Sequence, residues 1–421
     1  MNRKLAPPVH PIQNLRLPRP VIHTLDNGVQ VYETSMGTQD VVRLEIVFYA
    51  GRPQERKPLV SRATLGLLRE GAGPYNAAEI AEILDYYGSS LSTPFNMDSG
   101  NLVLYSLSHH LDKVLPLLVA MLETPVFPAE ELDAFIQRNL ILLAEDLSKP
   151  DVVAYRQITE LIFGANHPYG YNSWPETYTQ LKRDDLVEHF NRLYTCDNCE
   201  IFISGKIDAA IIASLNRSIG AWNRRGKVPP YVPPPIDTKP EKQRLAKPSG
   251  VQTAIRIGRR LFQRSHPDYC GMFVLNTMLG GYFGSRLMAN IREEKGYTYN
   301  IYSTLDTMRY DGCFYIGTEV GNEFVADTLQ QIYKEIELMR TQPADADEME
   351  MVRNYLMGSL LTMLDGPFNV GEVVRTMVAE DAPFHFFEDL VATVESITAE
   401  QLQELANRYL QPDDLWEVIV G

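Results

Sequence analysis

Two stretches of this chain, LKRDDLVEHFNRLYTCDNCEIFISG (181–205) and ITAEQLQELANRYLQPDDLWEVIVG (397–421), align without a gap. The offset is constant over the 25 residues, since 421 − 205 = 216. Each stretch has apolar residues at helical spacing followed by a short apolar run, which predicts a helix leading into a buried strand. The identical pairs that fall in register include Leu186/Leu402, Asn191/Asn407, Arg192/Arg408, Asp197/Asp413 and Gly205/Gly421. The alternative is that the two helix–strand units became similar by convergence, but a match of this length favours internal duplication.

The chain length agrees with duplication, because 421 residues are more than one compact core usually organises. The segment GKVPPYVPPPIDTKP (226–240) holds six prolines, which exclude a helix and favour a stiff, extended linker. We therefore predict two homologous domains, at 1–225 and 241–421. In each, hairpins and strand pairs precede helices, so the expected fold is α+β, with a mainly antiparallel sheet and helices packed on one face.

Composition narrows the possible partners. Hydrophobic residues make up 45% and charged residues 22% of the chain, as in ordinary soluble globular proteins. The 54 acidic and 39 basic residues give a net charge of −15, which argues against nucleic acid and anionic membrane as partners. The sequence has neither a run long enough to span a membrane nor a signal-peptide pattern, so the cytoplasm is the expected compartment.

Cysteine and histidine spacing gives little support for a metal site. Cys196 and Cys199 form a single CxxC without a second pair, which is weak evidence for metal or redox chemistry. We interpret them as small residues entering a buried strand. The eight histidines include no pair four residues apart, and no nucleophile elbow or phosphate-binding loop accompanies them.

A second stretch, GGYFGSRLMANIREEKGYTYNIYS (280–303), combines a glycine turn, an amphipathic helix ending at Gly296 and a predicted strand containing Tyr299. Arg292 lies near the helix end, seven residues before Tyr299, so both side chains could reach one carbonyl oxygen. Alternatively, Arg292 pairs with a nearby acid and Tyr299 fills the sheet. The glycines allow a tight turn or a close approach of the backbone to a neighbour: Gly280, Gly281 and Gly284.

Three segments make this chain resemble the pitrilysin or insulinase family of inverted-zincin metallopeptidases, in particular the short two-domain branch of the processing peptidases. They are AAEIAEILDYYGSSL (77–91), Asn198–Glu200 ahead of a strand ending in glycine, and VLNTMLGGYFGSRLMANIREEKGYTYNIYS (274–303). The resemblance extends over nearly the whole chain. It implies the same α+β fold in both domains.

The resemblance also implies where zinc would bind. The family carries HxxEH on its first long helix, where two histidines bind zinc and the glutamate activates water. In this chain that motif falls on 62–66, so Arg62 and Gly66 stand for the histidines and Leu65 for the base. The distal ligand position falls at Leu142, with Glu145 about one turn away. We therefore expect no catalytic zinc in this chain and no peptidase activity from it alone.

In heterodimeric members of the branch, a zinc-free subunit retains an Arg and a Tyr that act at the partner's zinc. Here these match Arg292 and Tyr299, which are expected to bind the substrate backbone and the tetrahedral intermediate in trans. The implied partners are an HxxEH-containing subunit, which holds the zinc, and a peptide lying as an extra strand on a sheet edge. Two alternatives stay open: a non-catalytic structural or peptide-binding homodimer, and an independent peptidase with a non-standard metal site.

Overall fold

The structure is a computed structural model that describes residue 12 and the ranges 14–246 and 250–421. Its strands, in chain order, are β1 Val21–Thr24, β2 Gln30–Ser35, β3 Val41–Phe48, β4 Gly71–Ala72, β5 Tyr75–Asn76, β6 Ser90–Ser92, β7 Gly100–Leu107, β8 Cys199–Gly205, β9 Lys242–Leu245, β10 Gln252–Leu261, β11 Ile301–Thr307, β12 Gly312–Gly321 and β13 Trp416–Val420.

The α-helices surround these strands in sequence. They are α1 Val60–Leu67, α2 Ala77–Tyr86, α3 Leu111–Glu123, α4 Ala129–Asp146, α5 Pro150–Phe163, α6 Pro175–Thr179, α7 Arg183–Leu193, α8 Ala209–Ser218, α9 Tyr269–Asn276, α10 Val325–Thr341, α11 Ala346–Met363, α12 Gly366–Ala379, α13 Phe386–Ser396 and α14 Ala399–Tyr409. Two π-helical segments, Thr277–Gly281 and Met288–Glu294, lie between α9 and β11. Short 3₁₀ turns occur at Arg52–Gln54, Ser108–His110, Cys196–Asn198, Ile219–Ala221, Asn322–Phe324 and Pro412–Asp414.

Two large sheets organise the molecule. The first has the order β1-β2-β8-β3-β7-β6 and the second β11-β12-β10-β13-β9. In each sheet one pairing is parallel, β2 with β8 and β9 with β13, and the others are antiparallel. The predicted α+β fold with mainly antiparallel sheets is confirmed.

The internal repeat reappears in the element boundaries. Helix α7 (183–193) and helix α14 (399–409) differ by the constant offset, since 399 − 183 = 216 and 409 − 193 = 216. The strand that follows each helix, β8 or β13, lies between one parallel and one antiparallel neighbour. β1 has no counterpart among the described strands of the second sheet, which otherwise repeats the order of the first.

Each sheet packs on its own helices with one face and on a helix from the other half with the opposite face. Helix α5 supplies Ala154, Ile158 and Ile162 to a core that is otherwise built mainly on the second sheet. Helix α12 packs on β8 and β2 of the first sheet, and Gly371 allows it to approach closely, since a Cβ there would lie 2.8 Å from the Ser204 Cβ. This exchange adds a second covered face to the one-sided packing expected from sequence.

Each of the two exchanged helices, α5 and α12, contributes a side chain to an ion pair with the sheet that it covers. The registers of β3 on β8 and of β10 on β13 place Glu45 and Arg256 at equivalent positions. Buried Glu45 lies 2.6 Å from the Arg43 guanidinium and 3.9 Å from that of Arg375 on α12. Buried Arg256 pairs with Asp151 on α5. The same position of the two sheets therefore carries opposite charges. Asp151 of the covering helix pairs with Arg256, whereas Glu45 pairs mainly with Arg43 of its own strand and at longer distance with Arg375 of the covering helix.

The domain division at 1–225, 226–240 and 241–421 stays a prediction. Residues 222–241 have neither helix nor strand, but α5, α12 and the N-terminal Leu15 and Leu17 cross between the two cores. Residues 1–11 of the predicted first domain lie outside the described residues. No helix in the described parts of the chain is long and apolar enough to cross a membrane.

Candidate peptide-binding site

The segment around Arg292 is helical, as expected, but most of it has π-helical hydrogen bonding. Residues 288–294 form the π-helical segment, and Gly296 follows it with a left-handed backbone, at φ +68°. The Gly296 amide donates to the Arg292 carbonyl at 3.1 Å, and the Tyr297 amide donates to the Ile291 carbonyl at 3.1 Å, which closes the helix end. π-Helical turns often occur at functional sites. Arg292 therefore lies in the last turn of an irregular helix.

The prediction that Tyr299 lies on a strand was wrong. β11 begins at Ile301, two residues later. The Thr298 hydroxyl accepts a hydrogen bond from the Asn300 amide at 3.2 Å and donates to the Glu319 carbonyl at 2.7 Å. This side-chain turn competes with the sheet ladder for the backbone, so the chain bends at Tyr299 before the ladder starts.

Arg292 and Tyr299 both reach the surface. The Tyr299 side chain is 90% exposed, and we find no hydrogen bond to its hydroxyl among the described residues. The Arg292 guanidinium lies over the Phe283 ring, 4.6 Å from its centroid, and its Nε lies 3.7 Å from a Glu293 carboxylate oxygen. The long, half-exposed contact with the adjacent Glu293 is a weak ion pair. Packing within the sheet therefore does not account for Tyr299.

The glycine turn shapes the surface beside Arg292. A Cβ on Gly280 would lie 2.5 Å from the Ser303 amide nitrogen, so this glycine lets the helix approach β11 closely. A Cβ on Gly284 would lie 2.7 Å from the Tyr282 ring, whereas one on Gly281 would meet its nearest neighbours at 3.3 Å. The Tyr282 ring in turn stacks on Tyr355 of α11, with 4.6 Å between centroids.

The positions of the HxxEH motif carry no metal ligand. Arg62 is exposed on α1, whereas Leu65 is 1% exposed and belongs to the first core. A Cβ on Gly66 would lie 3.3 Å from the Phe135 ring of α4. Leu142, at the distal position, is 52% exposed and offers no donor atom. The Glu145 carboxylate, one turn on, pairs instead with Lys149 at 2.8 Å.

The donor set at these positions therefore does not fit zinc, which requires three or four nitrogen, sulfur or oxygen ligands around one point. Within the described residues, no group of three or more His, Cys, Asp or Glu side chains is arranged to hold a metal ion.

Sequence reasoning missed a polar cavity of about 390 Å³ between the two halves. At its wall Asp98 accepts hydrogen bonds from the Tyr169 hydroxyl and, at 2.9 Å, from the Arg309 backbone amide of the second half. Across the same cavity the Tyr155 hydroxyl lies 3.5 Å from the Asp306 carboxylate. Burial raises the pKa of both Asp98 and Asp306. No local pattern joins these residues, because the fold brings them together from segments far apart in sequence.

The CxxC pair lies at the start of β8. Both thiols are free and buried, and burial raises the pKa of Cys196 and Cys199. Since the thiolate is the form that binds metals and attacks disulfides, this environment disfavours both kinds of chemistry. The observed burial agrees with the interpretation of small residues entering a buried strand.

Residues 180–356 match a family model described as the peptidase M16 inactive domain. A Helicobacter pylori protein named non-peptidase homolog YmxG is 24% identical over 369 residues, which cover 84% of this chain and 82% of that protein. The chain is a homologue of the M16, or pitrilysin-type, peptidases. This M16 homologue has Arg62, Leu65 and Gly66 at the positions where the resemblance places HxxEH.

Other relatives of the M16 homologue span its length. A Bacillus subtilis protein named uncharacterized zinc protease YmxG is 23% identical over 351 residues, covering 82% of this chain and 84% of the relative. A solved structure of a peptidase M16 inactive domain from Pseudomonas fluorescens superimposes with a TM-score of 0.86 at 23% identity, over 96% of this chain and 98% of that one. A protease structure from Helicobacter pylori gives 0.87 at 15% identity, over 96% and 100%. These structures share the fold.

Proposed function

We propose that this M16 homologue is the zinc-free subunit of a heterodimeric metallopeptidase. Arg292 and Tyr299 would act in trans on a peptide bound at the zinc of an HxxEH-containing partner. The observation that carries the proposal is that Tyr299 is 90% exposed and the Arg292 side chain is 32% exposed beside the glycine turn, neither with a strong internal partner among the described residues. A side chain needed only for packing would be buried, and an arginine needed only for stability would have a closer acid.

The chemistry of the two side chains suits electrostatic stabilisation of a reacting carbonyl. A guanidinium and a phenol both donate hydrogen bonds, and donors aimed at a developing oxyanion are among the strongest catalytic devices. Phe283 lies 4.6 Å from the Arg292 guanidinium, ring centroid to carbon, a cation–π contact that helps to hold the arginine side chain in place. Removal of one such donor typically lowers kcat by about 10²–10³.

The sheet next to this pair offers a place for an extended peptide. β11 is at the end of the second sheet and, among the described strands, pairs only with β12. It starts two residues after Tyr299, so a peptide added to its free edge would pass close to that hydroxyl. Main-chain hydrogen bonds would then supply affinity with little demand on sequence.

The test is reconstitution with a zinc-bearing subunit of the same family, measured as peptide hydrolysis by each chain alone and by the mixture. We expect hydrolysis by the mixture to exceed the sum of the separate activities. In the assembled enzyme, Arg292→Ala and Tyr299→Phe should lower kcat while leaving assembly intact. Tyr86→Phe is the matched control, because Tyr86 is also highly exposed, at 81%, but lies on α2 of the first half.

Unchanged turnover in both variants would overturn the in-trans role. A mixture that assembles without gain in hydrolysis would instead favour the second candidate, a non-catalytic structural or peptide-binding homodimer. The Helicobacter pylori relative, named a non-peptidase homolog, gives that candidate its support. Sedimentation of the chain alone separates the two, since a homodimer would form without a partner. The cytoplasm remains the expected compartment.

A further inference from the structure

A second cavity, of about 590 Å³, lies within the second half, and neither Arg292 nor Tyr299 lines it. Helices α9, α11, α12 and α13 form its walls. Its interior is apolar and mostly buried, whereas its rim is exposed. The interior side chains include Tyr269, Met377, Phe386, Phe387 and Leu390. A concave, largely apolar cavity of this size is typical of small-molecule sites, whereas protein partners usually meet flatter surfaces.

The charged groups at this cavity already have partners. The Arg264 Nε donates to Glu380 at 2.7 Å, and its other nitrogens donate to Tyr269 and Thr307. Glu372 accepts from Arg43 of the first half at 2.9 Å and also from Arg375. A charged ligand would therefore lose its hydration here without gaining a free counter-ion, which is costly.

The rim offers neutral polar groups instead. Thr362 and Asn369 are exposed at the mouth, and the Asn369 amide nitrogen donates to the Thr362 carbonyl at 3.2 Å. Ser359 lies on the same face of α11, three residues before Thr362. A hydroxyl or carboxamide at the mouth could exchange hydrogen bonds with such groups while an apolar body fills the interior.

We propose that this cavity binds an uncharged amphiphile, with an alkyl or aryl body among the buried aromatic and methionine side chains and a single neutral polar group at the rim. This site is separate from the proposed catalytic role and does not depend on it. One of its walls is α12, which also packs on the first sheet. A bound molecule would therefore contact a helix that packs across the boundary between the two halves.

Octanamide and octanoate test the proposal, because they share one shape and differ in charge. Titration calorimetry on the full chain should give a dissociation constant below about 1 mM for octanamide, and binding at least about tenfold weaker for octanoate. Ser359→Trp should fill the mouth and weaken octanamide binding at least tenfold. Leu361→Trp is the control, since Leu361 is 47% exposed on the same helix but does not line the cavity.

Thr362→Trp provides a second blocking variant if Ser359→Trp does not fold, as judged by circular dichroism. Absence of octanamide binding below millimolar concentration would overturn the site. Equal binding of octanoate would overturn the assignment of an uncharged ligand. Retention of full affinity by a folded blocking variant would place the bound octanamide elsewhere and overturn the proposal.

Discussion

A triple variant, Arg62→His/Leu65→Glu/Gly66→His, would rewrite α1 with the HxxEH pattern of the active relatives. If the absence of the three HxxEH residues were the only reason for the lack of a zinc site, this variant would bind zinc. The structure predicts that it will not, because the three positions have different environments. Position 62 faces solvent, position 65 is in the core and position 66 contacts α4.

The expected loss of unfolding free energy follows from the burial of the substituted positions. Loss of a fully buried leucine costs about 2–5 kcal/mol, and Leu65 is 1% exposed. A carboxylate at that position must also be desolvated or protonated, which costs further free energy. A side chain on Gly66 displaces the Phe135 ring, whereas Arg62→His at the surface changes stability within about 0.5 kcal/mol. We expect a total loss of at least about 4 kcal/mol, a large part of the 5–15 kcal/mol typical of a domain.

The assay combines urea unfolding, followed by circular dichroism, with competition against a zinc chelator. Arg62→His alone is the control and should unfold like the wild type. The distal position still lacks a ligand, because Leu142 has no donor and Glu145 is paired with Lys149. One tightly bound zinc per chain, with an unfolding free energy within about 1 kcal/mol of the wild type, would refute the reasoning. It would show that position 65 can turn out of the core.

Two further predictions concern glycine packing and pH. Gly280→Ala should destabilise the fold by about 1–3 kcal/mol, because the added Cβ would overlap the Ser303 backbone. Gly358→Ala is the control: this glycine lies in a helix, a Cβ there would meet nothing within 4 Å, and the change should stabilise the fold by up to about 1 kcal/mol. Equal effects of the two substitutions in thermal melts would contradict this prediction. Burial lowers the pKa of His189 to about 4, so the native state favours the neutral ring. The contribution of His189 to the free energy of unfolding is therefore fully present above pH 6.5 and is lost as the pH falls towards 4. The unfolding free energy of the wild type relative to His189→Asn should therefore fall between pH 7 and pH 4, by on the order of 3 kcal/mol, with exposed His385→Asn as control; a constant difference would contradict the assignment.

Local sequence signals predicted those parts of the fold that depend on local interactions. The repeat placed α7 and α14 at one constant offset because apolar spacing and start signals lie within each helix. Tyr299 was misplaced because the turn that excludes it from β11 depends on the hydrogen bond from the Thr298 hydroxyl to the Glu319 carbonyl of β12, a partner 21 residues away in sequence. The motif comparison identified Leu65 as a replaced base, but its burial became visible only with the packing of α1 on the first sheet.

The exchange of α5 and α12 was beyond sequence reasoning for the same reason, and its charges explain why it is specific. Helix α12 brings Arg375 to Glu45 on the first sheet, and α5 brings Asp151 to Arg256 on the second. If α5 covered a first-type sheet instead, Asp151 would approach the buried Glu45, and α12 on a second-type sheet would bring Arg375 to Arg256. Like charges brought together at buried positions are unfavourable, so these charges favour covering of each sheet by the helix of the other half. The pairing of halves is thereby completed within one chain, and a partner subunit would have to use other surfaces, among them the exposed face that carries Arg292 and Tyr299.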